Sequence, residues 1–172
     1  MTVEEYERFT EIGALPKNVE LLRGILVTKM SKSPLHEFVR QTLLRLLFAK
    51  VPSGFTVRAE APIKARDSEP EPDLSVVKGS ANDWVLDHPN TAHLAIEVSI
   101  SSTAVDESKA DIYAEAAVQE YWLVYAELRT VDVYRQPTPE GYLSKMTLTP
   151  SDTLHCQSIP EIQLAVADIF PA

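Results

Sequence analysis

Cysteine is nearly absent from this chain. Cys156 is the only one, which rules out an internal disulfide and a cysteine-rich metal site. Cys156 also has no acid or base close by in sequence and reads as structural. Long apolar runs are missing too: none approaches the roughly 20 residues that a membrane helix needs. The opening residues Met1-Thr2-Val3-Glu4-Glu5 are acidic and do not follow the basic-then-apolar order of a signal peptide. Positive charge is scarce: 16 Lys and Arg face 25 Asp and Glu, for a formal net charge of −9. That excludes a protein that coats nucleic acid by bulk electrostatics, because phosphate binding needs local cation density. It leaves room for an enzyme that touches nucleic acid through a metal and a few basic residues. Internal repeats, low-complexity segments and linkers are also lacking. What is present, 45% hydrophobic and 24% charged residues over 172 positions, suits one globular domain spanning residues 1–172 with a real core. A cytoplasmic protein without a membrane partner is the simplest expectation.

Local signals lay out the elements. Thr2-Val3-Glu4-Glu5 fits a capping box, with Val3, Tyr6 and Phe9 at helical spacing and a stop before Gly13. Val19 to Met30 reads as two strands joined at Arg23-Gly24. Ser33-Pro34 opens a helix to Lys50, on which Leu35, Phe38, Val39, Leu43, Leu46 and Leu47 follow a helical period. His36 and Arg40 are four apart and share a face of it. Phe55 to Arg66 reads as a strand region with Arg58, Glu60 and Lys64 on a charged face. Lys78 to His93 is a polar excursion with Trp84 and Pro89. Ser101-Ser102-Thr103 can cap a helix carrying Lys109, Ile112, Tyr113 and Ala116. Glu120 to Val124 and Thr130 to Arg135 are further strands, and Gly141 to Phe170 offers short strands and turns. The pattern predicts an α/β domain with a mixed sheet.

The stretch from Asp73 to Tyr113 holds the chemistry. Its two short apolar runs alternate, and successive strand side chains point to opposite faces. Asp73, Ser75 and Val77 share one face, with Leu74 and Val76 on the other. Leu94, Ile96 and Val98 point one way, and Ala95, Glu97 and Ser99 the other. Each strand thus sets one carboxylate among apolar neighbours, which costs stability unless something pairs with it. If the strands are neighbours, the natural partner is a divalent cation or Lys109.

Val19-Glu20-Leu21-Leu22-Arg23-Gly24, His36, Glu71-Pro72-Asp73, Ile96-Glu97-Val98-Ser99, Lys109, Tyr113 and Glu120-Tyr121-Trp122-Leu123-Val124 occur in that order. In this ordered set the chain resembles the Uma-two-type restriction endonucleases, long filed as a domain of unknown function within the PD-(D/E)XK nuclease superfamily. The resemblance runs from about Val19 to Phe170. It implies a restriction-endonuclease-like fold, a central mixed sheet flanked by helices with additional β-hairpins. It also implies a Mg²⁺- or Mn²⁺-dependent endonuclease acting on DNA, and a homodimer. Asp73 and Glu97 would hold the ion, with the backbone carbonyl of Val98 as a further ligand. The superfamily places a lysine two residues after the acidic strand residue; this chain has Ser99 there. Lys109 matches the helix position that the lysine takes in the Uma-two-type group. Gly is common in that group at the helix end before the Glu-Tyr-Trp run, where this chain has Ala117.

Plainer readings compete at each position. Singly, Asp73 is a turn residue after Pro72, Glu97 a surface strand residue, and Lys109 an exposed helix residue paired with Asp106. Together and in this order, the metal site with Lys109 beside it is the better reading. Glu20, His36, Ser99 and Tyr113 are accessory candidates: a ligand through water, a phosphate or second-ion contact, a supporting hydroxyl and a hydrogen-bond partner. Each is balanced by an ordinary strand, helix or core role, and Trp122 reads as core. Arg40, Arg58, Lys64 and Arg66 are the candidate nucleic-acid contacts, though a solvated face explains them equally well. The rival function is a catalytically inactive nuclease-fold protein acting as a binding or regulatory module, which the acidic balance and Ser99 favour. A two-carboxylate glycoside hydrolase ranks low, because no sugar-stacking aromatic cluster surrounds either acid.

Overall fold

The computed structural model describes residues 1–29, 32–100 and 104–172, with side chains left out at 104, 106 and 107. The capping set at 101–103 and the end of the Val19–Met30 segment lie outside the described residues. Helix α1 (Val3–Glu11) starts on the expected capping box, in which the Thr2 hydroxyl accepts from the Glu5 amide and Glu5 accepts from the Thr2 amide. Strands β1 (Val19–Leu22) and β2 (Ile25–Thr28) form a hairpin. Its two turn residues, Arg23 and Gly24, both have positive φ, 52° and 73°, as the tight hairpin turn demands. Helix α2 (Pro34–Lys50) is capped by the Ser33 side chain, which accepts from the His36 amide.

Then follow β3 (Phe55–Ala59), β4 (Leu74–Lys78), β5 (Leu94–Ser99), α3 (Ala104–Glu115), β6 (Glu120–Tyr125), β7 (Thr130–Thr138), β8 (Gly141–Leu148), β9 (Thr153–His155) and β10 (Gln163–Ala165). Single 3₁₀ turns occupy Ala81–Trp84 and Val166–Ile169. The central sheet has the order β3-β4-β5-β6-β7-β8, and β9 with β10 forms a separate two-stranded ribbon. Every neighbouring pair in the central sheet is antiparallel except β5 and β6, which α3 connects as a parallel crossover.

The alternation read from the sequence sorts the strand side chains onto two faces, and a different helix covers each. Leu74, Val76, Leu94, Ile96 and Val98 pack with Val39, Leu43 and Leu47 of α2, and with Trp122, fully buried. Val77 and Ala95 pack on the opposite face with Ala110 and Tyr113 of α3 and with Tyr121 and Tyr134. Burial of each such aliphatic side chain stabilises the fold by about 1.5–3 kcal/mol. The Glu97 face of β5 is therefore the face under α3.

Two local expectations change. The Phe55–Arg66 strand stops at Ala59: Glu60 turns into the left-handed region with φ 51°, and Pro62 brings no N–H to a ladder. Phe38, expected on the apolar face of α2, is exposed, because that helix turns His36 and Arg40 inward at its start. Helix α3 ends in a Schellman motif: the Val118 amide donates to Tyr113 and the Ala117 amide to Ala114. The left-handed position, with φ 55°, falls on Ala117 where α1 uses Gly13 for the same turn.

Candidate active site

Two neighbouring strands bring the carboxylates together. Leu74 pairs with Ile96 across β4 and β5, so one step further sets Asp73 opposite Glu97. Asp73 stands just before β4, and both acids are buried, at 7% and 5% exposure. The Val98 amide donates to Asp73 Oδ2 at 2.8 Å, so this edge of β5 addresses the Asp73 side chain directly. His36, brought by the first turn of α2, places Nε2 3.1 Å from the same oxygen. Lys32 approaches Asp73 Oδ1 at 3.6 Å. Burial pushes the Asp73 carboxyl up, but His36, the Val98 amide and Lys32 outweigh it and hold the group below the usual carboxylate range.

Glu97 is held from α3. Lys109 Nζ donates to Glu97 Oε1 at 2.9 Å, and the Tyr113 hydroxyl donates to the same oxygen at 2.8 Å. Lys109 is buried at 5% exposure and its ammonium also meets Glu20 Oε1 at 2.8 Å. Burial pulls the Lys109 ammonium down; Glu97 and Glu20 prevail and hold it well above the ordinary lysine value. The Tyr113 phenol is pushed far up, by burial first and Glu97 next, so it remains a donor. The other oxygen of Glu20 accepts the Glu71 amide at 3.1 Å. Glu97 and Lys109 are thus not the exposed residues of the plainer readings: Lys109 faces Glu20 and Glu97.

The accessory residues divide. Glu20, His36 and Tyr113 all touch the cluster. Ser99 is buried on the Glu97 face two residues further along β5. His36 Nδ1 is buried and has no hydrogen-bond partner among the described residues. The expected nucleic-acid contacts are mostly engaged elsewhere. Arg58 donates to the Pro62 carbonyl at 2.8 Å and meets His88 Nδ1 at 3.1 Å, so it is an internal strut rather than part of a solvated face. Lys64 lies between Glu7 at 2.7 Å and Asp87 at 3.3 Å. Arg40 alone stands near the cluster, gripped by both oxygens of Glu37. Sequence reading missed Lys32 and the position of Glu60. Neither carries a local signal, since both reach the site through loops that only the fold brings together.

The donor set suits a hard divalent ion. Such an ion takes oxygen ligands, keeps several waters and needs only one or two carboxylates plus substrate phosphate. Among the described residues no group of three or more His, Cys, Asp or Glu is placed to hold a metal ion, so protein carboxylates would supply at most two ligands. Glu97 and Glu20 share one buried ammonium, Lys109, while Asp73 is partnered by His36, Lys32 and the Val98 amide.

A six-stranded mixed sheet with α2 on one face and α3 on the other has the restriction-endonuclease-like fold. The family model described as "Putative restriction endonuclease" (Uma2) matches residues 3–167, and the chain belongs to that family. A crystal structure of a "putative nuclease belonging to DUF820" from Anabaena variabilis is similar in fold, with a TM-score of 0.79. The two are 19% identical, and the match covers 98% of this chain and 97% of that one. Comparison with curated proteins finds no match. No helix among the described residues is long and apolar enough to cross a membrane.

Proposed function

We propose that this protein is a Mg²⁺-dependent endonuclease that hydrolyses phosphodiester bonds of DNA, with Mn²⁺ able to substitute. The observation that carries the reading is that buried Asp73, just before β4, stands in register opposite buried Glu97 on β5, with the Lys109 ammonium fixed on Glu97. The two carboxylates and the Val98 carbonyl would hold the ion. When bound, the ion would polarise a phosphoryl oxygen and acidify a water for in-line attack. The protein's own groups do the positioning. The Val98 amide and His36 fix the Asp73 rotamer, while Lys109 and Tyr113 fix Glu97. Lys109, kept as an ammonium by two acids, supplies preorganised positive charge to offset negative charge that builds on the phosphoryl group. Glu20 holds that ammonium in place.

The test is cleavage of supercoiled plasmid with Mg²⁺ or Mn²⁺ by the parent, Asp73→Asn and Glu97→Gln. The parent is expected to cut only with metal, and both variants to fall to background. Equal cutting by all three would remove the assignment. No cutting by any, with the fold intact, would leave the inactive binding module in its place.

A further inference from the structure

A second charged cluster sits at the rim of the carboxylate site. Glu60 follows β3 with φ 51°, a left-handed conformation uncommon for a glutamate. Its amide donates to the Asp73 carbonyl at 3.1 Å, so the strained residue is fastened to the residue that carries the site's first carboxylate. The Glu60 side chain ion-pairs with Lys32 through Oε1, and the same oxygen lies 4.0 Å from Arg40 Nε. Lys32 is shared with Asp73 Oδ1 at 3.6 Å. One carboxylate oxygen thus lies near a lysine and an arginine beside the candidate metal ligands. Arg40 is nearly buried and held by the Glu37 fork, so its guanidinium is already oriented. Lys32 and Glu60 are partly exposed, with side chains 38% and 45% accessible.

A carboxylate oxygen between an ammonium and a guanidinium has the chemistry of a phosphodiester oxygen in the same place. A chain with net charge −9 needs such a local cation pair to hold a polyanion. We propose that Lys32 and Arg40 are a phosphate-binding site for the DNA strand. Glu60 occupies it in the free protein and is displaced by the substrate's phosphodiester. This rests on the nuclease reading for the identity of the polyanion. Displacement is easy: an exposed ion pair is weak, and the Glu60 side chain can swing out while its amide stays on the Asp73 carbonyl. Arg40 stays in position because Glu37, not Glu60, orients it.

The test is fluorescence anisotropy of a labelled DNA duplex with the full chain in EDTA, where cleavage plays no part. Glu60→Gln is expected to bind about fivefold more tightly than the parent. The Lys32→Gln/Arg40→Gln double variant is expected to bind more weakly, with the slope of log affinity against log salt shallower by about two. Lys32→Gln alone, at an exposed side chain, should move both readouts in the same direction and guards against misfolding of the double variant. Equal or weaker binding by Glu60→Gln, or an unchanged salt slope after loss of Lys32 and Arg40, would overturn the proposal. So would no binding by either the parent or Glu60→Gln. The two readings fail separately. Binding through Lys32 and Arg40 without plasmid cleavage would sink the nuclease and keep this site; cleavage with binding indifferent to them would do the reverse.

Discussion

Lys109 and Tyr113 lie one helical turn apart on α3 and both donate to Oε1 of Glu97, at 2.9 and 2.8 Å. Residues four apart share a helix face, so a single helix orientation fixes both donors. The same turn lets Lys109 reach Glu20 on the hairpin.

Removing the ammonium should be costly. Lys109→Met would leave Glu20 and Glu97 buried side by side with no cation, a loss of about 3 kcal/mol in denaturant unfolding. Adding Glu20→Gln should recover part of that loss, because one of the two opposed charges goes with it. If the double variant is as unstable as the sum of the two singles, the three groups are not acting as one network.

Divalent metal should stabilise the folded chain. An ion that binds only the native state raises stability by mass action, about 2.7 kcal/mol at a hundred times its dissociation constant. The expected result is a melting temperature that climbs with Mn²⁺ for the parent and stays flat for Asp73→Asn. Equal shifts in both would place the ion elsewhere.

Glu69 sets a pH dependence away from the site. Burial first, and then the charge of Glu7, push its carboxyl from 4.5 to about 7, and Oε2 has no hydrogen-bond partner among the described residues. The folded state therefore holds this proton more tightly than the unfolded chain. Its contribution is full below about pH 4.5 and is lost as pH rises to about 7. Glu69→Gln keeps the shape without the charge. It should raise stability by about 2 kcal/mol at pH 8 and change little at pH 4. Urea midpoints at the two pH values would show the difference; a gain at pH 4 as large as at pH 8 would contradict it.

Ala117 carries a left-handed backbone at the end of α3, with φ 55°. An L-residue with a Cβ loses roughly 1–2 kcal/mol there, and part of that returns through the greater freedom of glycine in the unfolded chain. Ala117→Gly should raise stability by about 0.5–1 kcal/mol, measured by thermal unfolding. A fall would mean that the Ala117 methyl makes a packing contact worth more than the strain.

Much of the architecture is legible because its causes are local. Thr2 with Glu5, Ser33 with Pro34, and Arg23-Gly24 mark two helix starts and a hairpin without reference to distant residues. The faces of β4 and β5 follow from side-chain alternation, and with them the sidedness of Glu97. Charged side chains are less legible. Arg58, Lys64, Lys109 and Arg40 look alike in a sequence, each a cation among mixed neighbours. Their fates differ: a carbonyl strut, a loop clamp, a buried network and a site rim.

By itself, the sequence determined the period of each element, its caps and the residue types on each face, because these depend on backbone geometry within a few neighbouring residues. Only the tertiary structure decided that α3 covers the acidic face, that Lys109 finds Glu20 as well as Glu97, and that Glu60 lies between Lys32 and Arg40. An ion pair has no preferred sequence separation, so the choice among 25 acids and 16 bases is made by the packing of helices on the sheet.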